Sequence, residues 1–162
     1  MSYPQYPQQQ TPPQTMPAGE PPLWAPHYGA SFPVAAKRFF TKYATFSGRA
    51  SRSEYWWWTL AAVAVSIVLN IIIGLGTTTS SLSSTPDFGP AAIFGYVLLG
   101  IWGLATLVPS LALSVRRLHD GNFSGWLLLL LLIPFLGAIA VLVFMILPSN
   151  PAGQRFDRPA GY

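Results

Sequence analysis

The sequence predicts an all-α integral membrane protein: three transmembrane helices, a short N-terminal interfacial helix and a disordered N-terminal tail. Three observations lead there. Between Arg52 and Arg155 the only fully charged side chains are Glu54, Asp87, Arg116, Arg117 and Asp120. They divide the interval into three apolar runs, each long enough for the about 20 residues a helix needs to cross roughly 30 Å of hydrocarbon. The chain is 51% hydrophobic and only 9% charged, against about 25% charged in an average soluble domain.

Composition also limits the partners. The net charge of +4 is unevenly placed, with Lys37, Arg38, Lys42, Arg49 and Arg52 all ahead of the first apolar run. That placement suits membrane lipids rather than nucleic acid, because no basic stripe interleaves with aromatic residues. Cysteine is absent, which excludes disulfides, thiolate metal sites and a cysteine nucleophile.

Residues 1–33 are rich in Pro, Gln and Tyr and poor in branched aliphatics. Such a stretch buries too little apolar area to offset chain entropy, so a disordered tail is expected. It lacks the basic and apolar regions of a secretory signal, leaving the first apolar run as an uncleaved anchor. The membrane domain is expected over 34–156, with 157–162 as a C-terminal tail.

Residues 34–46 carry Phe39, Tyr43 and Phe46 at helical spacing beside Lys37, Arg38 and Lys42. One reading is an amphipathic helix on the membrane surface with its basic groups facing lipid phosphates; the other is a helix packed on its neighbours. Gly48 then breaks the chain, and Ser51-Arg52-Ser53-Glu54 has the form of a capping box.

The first span follows over 55–75. Tyr55, Trp56, Trp57 and Trp58 open it, residues that anchor at headgroup level, as does Trp126 further on. Asn70 is expected to hydrogen-bond a neighbouring helix. The second span covers 91–115, kinked at Pro109, with Ser110 and Ser114 available to the freed backbone groups. Residues 116–124 form a tight connection. The third span, 125–147, is bent at Pro134 and Gly137.

Lys and Arg concentrate on the cytoplasmic side of spans. That rule places the N-terminus and the 116–124 connection in the cytoplasm and the 76–90 loop outside. Three spans leave the C-terminus outside despite Arg155 and Arg158; a re-entrant third segment would return it.

This orientation brings two motifs to one surface, Gly48 to Trp56 and Arg116 to Asp120. Arg49, Arg52, Glu54, Arg116, Arg117, His119 and Asp120 then form a candidate layer for an anionic lipid headgroup or a partner, since a guanidinium holds carboxylate or phosphate through two parallel bonds. The plainer reading makes the arginines topology anchors and His119 an interfacial hydrogen-bonding residue. Two histidines assemble no convincing metal cluster, so no metal or cofactor is expected. No catalytic residue is assigned either: adjacent His119 and Asp120 diverge on a helix, and no G-x-S-x-G or Walker loop occurs.

Phe46 to Trp56, reading F-x-G-R-A-S-R-x-E-Y-W, and Arg116 to Trp126, reading R-R-L-H-D-x-x-x-S-G-W, followed by Ile133-Pro134, resemble the YhaH-like bacterial inner-membrane proteins, domain of unknown function 805. The resemblance runs from about Arg38 to Phe156. Gln154-Arg155-Phe156-Asp157 keeps Arg and Phe of the family's closing element and replaces its Asn and Gly. The resemblance implies a small multi-pass bacterial membrane protein and no activity. The expected function is a non-enzymatic module engaging anionic lipid, a membrane-protein partner or a second copy; the alternative is a subunit of an oligomeric transporter or channel.

Overall fold

The computed structural model describes residues 21–79 and 86–157; the expectations for residues 1–20 and 158–162 lie outside these. In chain order come α1 (Phe32–Thr41), α2 (Arg52–Leu75), the short strands β1 (Thr77–Thr79) and β2 (Pro86–Phe88), α3 (Pro90–Asp120), a 3-10 segment (Gly125–Leu132), α4 (Leu136–Ile146) and a second 3-10 turn (Pro151–Phe156).

α2 starts where its capping box dictates. The Ser51 hydroxyl accepts from the Glu54 amide at 3.2 Å, and the Glu54 carboxylate accepts from the Ser51 amide at 2.8 Å. The 24 residues of α2 and 31 of α3 each exceed the hydrocarbon thickness at 1.5 Å per residue. Their most apolar windows have mean hydropathy 2.3 and 2.0, yet only 17% of each is buried in the protein. A soluble core helix would hide such a surface; here it faces outward, where lipid is the solvent that tolerates it. β1 and β2 pair antiparallel, Thr77 opposite Phe88, and turn α2 back into α3.

α3 runs five residues past the expected end of its span, so Arg116 to Asp120 form its last helical turns rather than a connection. Pro109 lies within it and has no N–H to give the Ala105 carbonyl. The Tyr43 hydroxyl donates to that carbonyl instead, at 2.9 Å. Ser114, one of the two serines expected there, donates instead to Ser110 O of its own helix. Asn70 likewise donates to Ser66 O at 2.8 Å, within α2 rather than across to a neighbour.

The third apolar segment is not one helix. Its 3-10 limb gives way at Ile133-Pro134-Phe135 to α4, and Phe135 takes φ 60° at the centre of a tight turn closed by Leu136 N–H to Pro134 O at 2.7 Å. Each limb is about 16 Å long, roughly half the hydrocarbon thickness. The limbs touch where Gly137 faces Leu130: a Cβ there would lie 1.6 Å from the Leu130 carbonyl oxygen. Both ends of the hairpin return to the end of α3, Gly125 against Val115 and the Met145 and Leu147 carbonyls against Arg117. An uninterrupted leucine run has no periodicity from which to tell a straight helix from two limbs; Pro134 supplies the break.

α1 resolves its two readings in favour of packing. Ala35, Arg38 and Phe39 are buried, Lys42 follows on the same face, and Phe39 stacks on Trp58 at 3.4 Å between ring centroids. Arg38 and Lys42 therefore face inward, while Lys37, Phe40 and Tyr43 are exposed. Within the expected disordered tail, residues 21–33 are instead ordered. Residues 21–31 form a strap over the start of α2, with Ala30 N–H on Ser53 Oγ at 3.0 Å and Arg49 N–H on Trp24 O at 3.2 Å. Its prolines cannot donate to regular structure, but their carbonyls remain free to accept. Gly48 faces this strap at φ 80°, where a Cβ would meet Trp24 O at 2.7 Å.

The hairpin contact yields a test. Gly137→Ala drives a methyl into backbone and should lower the thermal midpoint in neutral detergent. Gly100→Ala, whose Cβ meets nothing within 4 Å, should leave it unchanged or raise it, since Ala is the better helix former.

Candidate functional site: a buried polar layer

The start of α2, the end of α3, α1, the strap and the C-terminal turn meet at one end of the molecule, and their charged side chains turn inward. Around Glu54, 3% exposed, the first group forms. Arg38 Nε donates to Glu54 Oε1 at 2.5 Å, and its other nitrogens reach the carbonyls of Pro21 (2.9 Å), Pro22 (3.3 Å) and Ala25 (2.5 Å). Glu54 Oε2 accepts from the Ser51 and His27 amides at 2.8 and 3.2 Å. Arg38 was absent from the sequence-derived site. The signal was present, because Ala35, Arg38, Phe39 and Lys42 fall at i, i+3, i+4 and i+7, one buried face.

A second group centres on Asp120, with no solvent exposure. Arg117 Nη1 donates to it at 2.9 Å from one turn earlier, Tyr28 Oη donates at 2.9 Å from the strap, and Ser149 Oγ donates from the tail. Arg49 Nη1 lies 3.7 Å away. Arg49 also grips Asp157 with two bonds, 2.9 and 2.7 Å, which holds its guanidinium more firmly protonated than usual. Burial and the Asp120 carboxylate raise the Tyr28 phenol. Arg117 completes its set with the carbonyls of Met145 and Leu147. Asp157 thus ties the tail to the first motif.

Charge does not balance evenly between the groups. Arg49 and Arg117 are matched by Asp120 and Asp157, whereas Arg38, Lys42 and Arg116 share Glu54. Lys42 and Arg116 are 2% and 1% exposed. Arg116 Nε donates to Ala112 O at 3.1 Å, but its Nη2 has no partner among the described residues; nor do Lys42 Nζ and Trp58 Nε1. Burial is the main cause pushing the Lys42 amine down to about 7, with Arg38 and Arg116 adding to it and Glu54 opposing.

Other candidates sit differently. Arg52 is exposed at the first turn of α2. His119 points away from Asp120: its Nδ1 bonds the Gly48 carbonyl at 3.1 Å, so that nitrogen carries the hydrogen, and its ring stacks on Phe156 at 4.0 Å. Trp56, Trp57 and Trp126 are 37%, 41% and 79% exposed, whereas Trp58, expected beside them as an interface anchor, is packed into the core at 6%. The reason is its ring stack with Phe39.

Two long apolar helices with lipid-facing surfaces, capped at one end by a folded polar layer, define an integral membrane protein. Residues 43–158 match the family described as Protein of unknown function (DUF805), and the chain belongs to that family. It is 36% identical over 115 residues to Inner membrane protein YhaI of Escherichia coli strain K12, covering 70% of this chain and 84% of that protein. It is equally 36% identical, over 114 residues, to Inner membrane protein YhaH of the same strain, covering 70% and 85%. No solved structure matches. The matched region begins after α1, so Arg38 and Lys42 precede it while Arg49, Glu54, Arg116, Arg117, Asp120 and Asp157 fall within it.

Two outcomes follow from the geometry. Arg117→Gln removes the charged partner nearest a buried carboxylate and should cost about 3–5 kcal/mol of stability, whereas exposed Arg52→Gln should change it by under about 0.5 kcal/mol; denaturant titration in detergent measures both. The Lys42 amine is lowered from an unfolded value near 10.4. Between about pH 7 and pH 10 the unfolded chain therefore holds a proton that the folded chain lacks, and stability rises with pH. Thermal midpoints in phosphate-free buffer should climb across that window, and Lys42→Met should remove this component of the climb.

Proposed function

We propose that the chain is a non-enzymatic inner-membrane module that crosses the bilayer twice, dips its third apolar segment as a re-entrant hairpin, keeps both termini cytoplasmic and engages anionic lipid at its arginine end. The return of the tail to the Arg49 motif carries this reading: Gly48 N–H donates to Phe156 O at 3.1 Å, and Asn150 N–H donates to Asp120 O at 2.8 Å. With the tail at that end, the described lysines and arginines belong to segments gathered there, and the opposite turn carries only Asp87. The tail arginine that conflicted with three spans then obeys the positive-inside rule.

The burial of Arg49 and Arg117 against acids leaves lipid contact to the rim. Exposed Arg52, flanked by Trp56 and Trp57, has the charge and the amphipathic rings that suit headgroup depth. A non-catalytic role is supported by the separate commitments of His119 and Asp120, which form no base and orienting-acid pair.

Reporter fusions at Tyr162 should read cytoplasmic and those at Ser83 periplasmic. Arg52→Gln should weaken retention on phosphatidylglycerol vesicles about fivefold, the effect of roughly 1 kcal/mol per basic residue at an anionic surface, and leave phosphatidylcholine retention unchanged. A periplasmic Tyr162, or equal retention by wild type and variant, contradicts the corresponding half of the proposal.

A further inference from the structure

The layer holds more buried positive charge than its own acids can answer. Glu54 is committed to Arg38 and two backbone amides, so it leaves no strong bond for its other cationic neighbours. Lys42 Nζ and Arg116 Nη2 are nevertheless buried and unpartnered among the described residues. Both feel Glu54 and Arg38, and Lys42 feels Arg116 as well, which places them in one electrostatic neighbourhood. Leaving such donors unmet in a protein interior is costly. In the other half of the same layer, every arginine finds a carboxylate.

We propose that Lys42 and Arg116, joined by the Trp58 indole N–H, which is likewise buried and unpartnered among the described residues, form a binding site for a phosphoryl oxyanion. A guanidinium edge and a compact ammonium are complementary donors for a tetrahedral anion, and an indole N–H adds a neutral one. The surplus over Glu54 is two positive charges with Lys42 protonated and one with it neutral, which suit the dianion and the monoanion of a phosphate group respectively. On the lipid-facing side, a cleft of about 680 Å³ between α2 and α3 is lined by Tyr55, Trp58, Leu113 and Ser114; it ends one turn before Arg116, so a lipid phosphate reaches the pair only if side chains there give way. A phospholipid phosphate and a free phosphate therefore share the chemistry of this site. The lipid source rests on the membrane role proposed above; the free-phosphate source does not. The low basicity of Lys42 describes the unliganded site, and a bound anion should raise it.

The test uses the full chain in neutral, phosphate-free detergent, titrated at constant ionic strength with inorganic phosphate and, separately, with phosphatidylglycerol in mixed micelles. At least one should raise the thermal midpoint of the wild type. Lys42→Met and Arg116→Gln should each weaken that response about tenfold or more, Lys42→Arg should retain it, and Arg52→Gln should leave the phosphate response unchanged. A response to phosphate assigns a free anion, and a response to phosphatidylglycerol alone assigns a lipid. Lys42→Met should also keep or raise the basal midpoint, because it removes an unpaired buried charge. No response in the wild type, equal responses in wild type and Lys42→Met, or a collapse of Lys42→Met in the absence of ligand overturns the site. The vesicle behaviour of Arg52→Gln stands apart from these outcomes, so the surface reading and the internal site fail independently.

Discussion

The closed end of this molecule depends on one buried carboxylate. Asp120 receives a hydroxyl from the strap, a guanidinium from its own helix and a hydroxyl from the C-terminal tail, while its backbone carbonyl takes Asn150. Residues as far apart in sequence as Tyr28 and Ser149 thus converge on two oxygens. A carboxylate with no solvent exposure is tolerable only with such a full set of donors. In return it fixes where the strap lies, where the hairpin returns and which face the tail covers. The helices above it need no comparable device, because lipid solvates their side chains and each satisfies most of its own backbone.

The frame was legible because hydropathy reports transfer into lipid, and α2 and α3 are defined by that transfer. The start of α2 was legible to the residue, since Ser51 and Glu54 form a local motif whose geometry does not depend on tertiary structure. The third apolar segment was only half legible. Pro134 and Gly137 marked the bend, but nothing local reveals that Gly137 must meet the Leu130 carbonyl or that Leu147 must reach Arg117.

The polar layer was harder still. An arginine at the end of an apolar helix looks the same whether it reaches lipid phosphate or an acid elsewhere in the chain. Arg49 and Arg52 lie three residues apart, yet one is clamped to Asp157 and the other is exposed. α1 stayed open between a surface and a packed reading for a related reason: basic groups facing lipid phosphate and basic groups facing a buried acid look alike, although Arg38 and Lys42 share a face with Ala35 and Phe39. Inward-turned cations on a short helix are unusual enough to mark a place where charge has been collected on purpose or tolerated at a cost.

The division of the layer gives it functional meaning. The Asp120 half is electrically closed and behaves as architecture; the Glu54 half carries surplus cations and unmet donors, and behaves as a receptor for an anion. The Asp120 half depends on the third segment folding back, because Ser149, Asn150 and Asp157 reach it from beyond that segment. Because the chain has no cysteine, paired spin labels at Ser47 and Gln154 can measure that return directly in lipid nanodiscs. A hairpin predicts a separation well inside the roughly 30 Å hydrocarbon thickness. A distance at or beyond that thickness would mean that the third segment crosses, and would contradict the shared polar layer.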